Sequence, residues 1–178
     1  MRKIIYLLLV TTFSLFSTKT FTQSTTMFIK ALDNNGVLLD GGSTTAGHLK
    51  EIESLSYSVG VVRCKDCQPQ VADYNIMMVL NPATINLKQI SLKGLHLQSV
   101  DVTYHKTAAT FDYYKIHMED VIVESVQESG SSETPTISVS FLPAKIAWQF
   151  TAQKGDGTAG TKTKGGWDVV GGVEWLYY

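Results

Sequence analysis

Apolar and polar residues alternate along much of this chain. Leu55, Tyr57 and Val59 are set against Ser54, Ser56 and Ser58. Val100, Val102 and Tyr104 alternate with Ser99, Asp101 and Thr103. Tyr114, Ile116 and Met118 oppose Tyr113, Lys115 and His117. Ile137, Val139 and Phe141 oppose Ser138 and Ser140, and Ile146, Trp148 and Phe150 oppose Lys145, Ala147 and Gln149. A period of two gives a strand one buried face and one wet face, the habit of antiparallel sheets. Residues 27–32 and 76–80 read as further, more uniformly apolar strands.

Turn chemistry separates these runs. Residues 33–36 (DNNG) and 40–43 (DGGS) tolerate positive φ, and residues 127–135 (QESGSSETP) read as a polar hairpin loop. One helix is predicted. Asn81 serves as its N-cap with Pro82 at the first position, Gly94 ends it, and Ile85, Leu87, Ile90 and Leu92 supply its apolar stripe. Many short strands with one mid-chain helix predict an all-β fold, a small β-barrel or two-sheet sandwich with one flanking α-helix.

The N-terminus breaks this pattern. Met1, Arg2 and Lys3 precede an apolar run over residues 4–16, and a Ser/Thr-rich stretch follows. That run is short for a span of about 20 residues but fits the core of a secretory signal. The expected organisation is a signal peptide over residues 1–22, with the cut between residues 17 and 24, and one domain over residues 23–178. The removed piece carries Arg2, Lys3 and Lys19 and no acid. The 15 basic residues become 12 against 16 acids, a mature net charge of −4. Neither this charge nor the composition points to nucleic acid. No second long apolar run exists, so no stable membrane insertion is expected. A secreted or periplasmic location follows from the signal.

Candidate chemistry is sparse. Gly155, Gly157 and Gly160 match G-x-G-x-x-G, but Thr161 and further glycines follow instead of a helix, so the stretch reads as a flexible surface loop. Cys64 and Cys67 form a C-x-x-C pair in a polar loop. A disulfide formed after export is the expectation; free thiols and a redox or metal role are the alternatives. His48, His96, His105 and His117 show no ligand spacing, and His105 and His117 are expected on a wet sheet face, where they could face each other. Glu119 and Asp120 are adjacent and point to opposite faces. The aromatics read as core packing. No catalytic, cofactor-binding or metal residue is assigned, and no cofactor is expected.

The order of short motifs resembles one family. Met27, Phe28, Ile29 and Lys30 open the first strand; His48, Glu51, Ile52, Tyr57 and Gly60 follow at the spacing H-x-x-E-I-x-x-x-x-Y-x-x-G. The strand over residues 137–141 with Lys145 and Ile146, and the late Gly165, Gly166, Trp167 and Asp168, continue the likeness. In this order they resemble the haemolysin-coregulated protein (Hcp) family, the tube proteins of type VI secretion systems. The resemblance implies a small barrel of two sheets with a flanking helix and no enzymatic activity. It also implies self-association into hexameric rings that stack into a tube, with the secretion spike and effector proteins as partners.

Two features depart from the family. Its members are assembled in the cytoplasm without a signal peptide. The Gly-rich loop by which they contact neighbouring rings is replaced here by residues 61–71, so Val61, Val62, Arg63, Lys65, Asp66, Gln68 and Gln70 become the candidate assembly loop, with Cys64 and Cys67 inside it. The reading from a different class is an exported β-sandwich that binds a glycan or surface partner without forming a tube.

Overall fold

A computed structural model describes residues 25–63, 65–66, 68–106, 111–130 and 133–178. The predicted signal peptide and both cysteines lie outside the described residues. The elements in chain order are β1 (Thr25–Leu32), β2 (Ile52–Ser58), β3 (Val61–Val62), β4 (Gln70–Val71), β5 (Tyr74–Val79), α1 (Ala83–Lys93), β6 (His96–Lys106), β7 (Asp112–Ser129), β8 (Thr136–Gln153), β9 (Ala159–Asp168) and β10 (Val173–Glu174).

Six strands close on themselves in the order β8-β5-β2-β1-β6-β7, with β7 pairing back to β8 and every contact antiparallel. The interior is filled by the alternating positions read from the sequence: Val100 and Val102 of β6, Ile116 and Met118 of β7, and Ile137, Val139 and Phe141 of β8 are all buried. The fold class predicted from the alternation therefore holds, as a barrel with one flanking helix.

Strands β7 and β8 each run 18 residues, far beyond the usual five or six. The first half of β8 is gripped by β5 and β7, and the second half by β7 and β9. Pro143 sits at the hand-over, after the last β5 partner at Phe141 and before the first β9 partner at Lys145. A residue without an N–H fits a mid-sheet strand only where no neighbour awaits that donor, and this gap is such a place.

Helix α1 closes one side. The Ala83 N–H donates to Asn81 Oδ1 at 3.0 Å, as expected of a capping Asn. Gly94, at φ 63°, ends the helix: its N–H donates to Ser91 O and that of Leu95 to Ile90 O, the paired bonds of a Schellman turn. The buried stripe is Ala83, Thr84, Leu87 and Ile90. Ile85 and Leu92 were expected in it and are exposed, Leu92 at 89%.

Four other expectations are corrected. Leu55 was placed on the buried face and is 60% exposed: Ile52 and Ser54 pair with inward Ile29 and Met27, so Leu55 points outward, and the register slip between Ser54 and Ser56 then brings Tyr57 opposite buried Ile76. Phe150 is 48% exposed although it continues the inner row of Ile146 and Trp148. The loop expected from residue 127 begins only after Ser129, where β7 ends. The Gly-rich stretch is a tight turn around Gly157, at φ 86°, and from Ala159 onward it is strand β9. Polar β9 carries no apolar alternation that would have revealed it.

Candidate functional site: assembly surfaces and a histidine–carboxylate cluster

The candidate assembly loop forms a ribbon of its own. Val61 pairs with Val71 and Val62 with Gln70, separate from the barrel sheet. The Ala72 N–H donates to Gly60 O at 2.8 Å and closes its base. Val61, Val62, Arg63, Lys65, Asp66, Gln68 and Gln70 are all exposed, while Val71 is buried in the core cluster and roots the ribbon. Gln68 reaches the turn between β9 and β10: a Cβ on Gly172 would lie 3.1 Å from Gln68 Oε1. Cys64 and Cys67 lie outside the described residues.

On the outer face of β2 and β5 three exposed apolar side chains, Leu55, Met77 and Val79, stand among polar Glu53, Ser56, Ser58 and Asn75. Leu55 stands in the bulge beside Met77, and Met77 and Val79 alternate outward from buried Tyr74, Ile76 and Met78. Around buried Tyr74 the tyrosine rings gather, although Tyr57, expected on the buried face, is 39% exposed. Tyr57 stacks on Tyr74 at 5.3 Å and meets Tyr104 edge-on, and Tyr104 also contacts Tyr113 and Tyr114. The Tyr74 and Tyr104 hydroxyls lie 3.3 Å apart. Burial raises the pKa of both, and of Tyr114, above the ordinary tyrosine value. The sequence reading treated these aromatics as scattered; the register collects them.

A second feature escaped the sequence. After β10 the chain runs back over the outer face of the barrel. The Trp175 N–H donates to Gly166 O at 3.1 Å, and Tyr177 stacks on His117 with ring centroids 3.6 Å apart. This strap buries His117, which had been expected on a wet face. His117 Nδ1 pairs with Asp101 Oδ1 at 2.5 Å. Lys145 holds Glu119 and lies over the Trp175 ring. Asp120 pairs instead with His96, so the adjacent carboxylates do serve separate sites.

His105 and His117 do not face each other. In the β6–β7 ladder His117 lies opposite Asp101, whereas His105 lies opposite Asp112. A bulge between Tyr104 and His105 inserts Tyr113 and brings Asp112 rather than Tyr113 into register. His105 Nδ1 lies 3.0 Å from Asp112 Oδ1, and Lys115 Nζ is 2.9 Å from Asp112 Oδ2. Burial pushes Asp112 up, but the hydrogen bonds from His105 and Lys115 and the lysine charge outweigh it and hold the carboxyl below its usual range.

His48 joins this pair from the loop before β2. Phe28 points out of the barrel between inward Met27 and Ile29, and the His48 ring covers it, parallel at 4.0 Å. Lys50, at φ 64°, turns the chain so that Glu51 Oε2 meets His48 Nδ1 at 2.8 Å. His48 Nε2 then lies 3.9 Å from Asp112 Oδ1. The H-x-x-E spacing is thus a local ring clamp. Nothing in the spacing announced that it lies against His105 and Asp112, because a barrel register and a bulge make that contact.

The comparisons agree with this architecture. The family model described as "Type VI secretion system effector, Hcp" matches residues 28–150. No curated protein matches the chain. Among solved structures, a type six secretion system protein is 21% identical with a TM-score of 0.76, covering 85% of this chain and all of its own. Hcp1 from Salmonella typhimurium is 21% identical with a TM-score of 0.74, covering 85% of this chain and 99% of that one. A type VI secretion system effector from Yersinia pestis is 26% identical with a TM-score of 0.68, covering 80% and 99%. With the closed six-stranded barrel, the flanking helix and a family match over most of its length, this chain belongs to the Hcp family of type VI secretion proteins, whose members are non-catalytic structural components.

Proposed function

We propose that this chain is a ring-forming tube subunit, hexameric as the family resemblance implies, whose contacts include the outer face of β2 and β5 and the ribbon of residues 61–71. The observation that carries this reading is the set of exposed apolar side chains on two surfaces, Leu55, Met77 and Val79 on the barrel wall and Val61 and Val62 on the ribbon. Exposed apolar side chains of this kind are covered in a ring, where one surface meets a different one on the next copy. The secretion spike and effector proteins are its further partners. The N-terminal segment is a signal peptide, so the mature chain begins between residues 18 and 25 and enters an oxidising compartment.

Light scattering after size exclusion tests the ring. A multiple of the monomer mass is expected, with Met77→Asp lowering it while the circular dichroism spectrum of the barrel is retained. A monodisperse monomer at high concentration and low salt refutes the ring and favours a free exported binding module. Intact mass of the natively produced protein tests export; a mature pool that retains Met1 rejects it.

A further inference from the structure

We propose that His48, His105 and Asp112 form a binding site for one divalent first-row transition ion, with Zn²⁺ the best-matched. One ligand atom from each of the three lies within 4.8 Å of the others. Asp112 Oδ1 is 3.0 Å from His105 Nδ1 and 3.9 Å from His48 Nε2. Tetrahedral zinc with bonds of about 2.0–2.1 Å sets its ligand atoms roughly 3.3 Å apart. Two edges straddle that value and the third, between the two imidazoles, is at most 4.8 Å, so the rings must draw together to close on an ion.

The surroundings are those of a metal ligand's support. Glu51 accepts from His48 Nδ1–H, which fixes the tautomer that leaves the Nε2 lone pair free, the carboxylate–histidine pairing found behind metal-bound imidazoles. The Phe28 stack holds the ring plane. Lys115 occupies Oδ2 of Asp112, and the ion replaces the proton shared between His105 Nδ1 and Oδ1, so binding releases a proton. Two imidazoles and one monodentate carboxylate select zinc-like ions over Mg²⁺ or Ca²⁺, which take oxygen ligands. Three protein ligands leave a fourth position for water or another donor. The nearby lysine charge opposes the ion and weakens the site relative to one without it. The ion ties the loop before β2 to the β6–β7 hairpin, two parts of the outer wall with no ladder between them.

The experiment uses the full untagged chain with Cys64→Ser and Cys67→Ser, so that thiols contribute nothing. Titration with Zn²⁺ against a chromophoric chelator, and with Co²⁺ followed by visible absorption, should show about one equivalent per chain, and Zn²⁺ should raise the melting temperature. His105→Ala and Asp112→Asn, at partly exposed side chains, should each weaken binding at least tenfold with the barrel's circular dichroism unchanged. Glu51→Gln should weaken it about tenfold or more through the supporting hydrogen bond, and Lys115→Gln should tighten it. No binding by the folded parent chain, or a loss smaller than tenfold in both ligand variants, overturns the site. Should either ligand variant misfold, the parent Co²⁺ spectrum decides: four- or five-coordinate bands support the site, and the pale octahedral spectrum of the free ion rejects it.

Discussion

Two neighbouring glycines in β9 should respond oppositely to alanine. At Gly166 a Cβ would lie 2.2 Å from the Trp175 carbonyl oxygen, with the Ala147 Cβ and the Ile146 oxygen both at 3.0 Å. Backbone and packed core bound it on each side, so the strap of residues 175–178 must lift. The cost is then mainly what the strap contributes, because the two contacts at 3.0 Å need their neighbours to give by only a few tenths of an ångström. The Trp175–Gly166 hydrogen bond is worth about 1 kcal/mol, and the Tyr177–His117 stack about 0.5–1.5 kcal/mol. Against this, replacing Gly reduces unfolded-chain entropy by about 0.4–1 kcal/mol. Net destabilisation for Gly166→Ala is about 0.5–2 kcal/mol. At Gly165 nothing lies within 4 Å of the added carbon, so only the entropic gain remains and Gly165→Ala should stabilise by up to about 1 kcal/mol. Urea unfolding of both variants reads the difference in midpoint at constant slope. Equal midpoints would mean that the strap does not rest on Gly166.

Three further outcomes are expected. Leu87→Ala should cost about 2–5 kcal/mol as a buried truncation, while Leu92→Ala on the same helix should change stability by less than about 0.5 kcal/mol; similar losses for both would contradict the stripe. Because burial raises Tyr74, Tyr104 and Tyr114 above the unfolded value of about 10, their stabilisation is complete below pH 10 and is lost as pH climbs above it. Urea midpoints should therefore fall from pH 9 to pH 11 as tyrosinate absorbance rises with unfolding; full tyrosine ionisation in a folded barrel at pH 10.5 would refute this. Thiol labelling of the unreduced, unfolded mature chain should find Cys64 and Cys67 blocked, and two labelled thiols would reject the disulfide.

The inner wall was legible in the sequence where strands are regular. Val100 to Tyr104, Tyr114 to Met118 and Ile137 to Phe141 show their faces by alternation alone, because a closed barrel buries one side of every strand. Helix α1 was legible through its ends, since Asn81 and Gly94 act by local bonds that sequence spacing specifies. Alternation misled at β2, where one extra residue after Ser54 breaks the phase, so that Leu55 and Tyr57 do not share a face. It was silent at β9 and the terminal strap, whose partners are Ala147, Gly166 and His117 rather than a patterned face of their own. The His48, His105 and Asp112 cluster could not be read at all: His48 is distant in sequence from the other two, and a bulge at Tyr113 decides which residue His105 meets.

Strand β8 also sets the order in which the molecule can be made. Everything before it forms an open run, β5-β2-β1-β6-β7, whose two flanks are far apart in the chain. Only residues 136–141 join those flanks, pairing with β5 on one side and β7 on the other. Such late, long-range closure slows folding and prolongs exposure of unpaired edges. A chain emerging N-terminus first therefore carries two raw flanks until the hand-over at Pro143 has passed. During that interval a second copy offers the same hydrogen bonds as the missing strand. For a protein that must later meet its own kind side by side, the hazard is a premature and wrongly paired version of the same encounter, and β8 is the element that forecloses it.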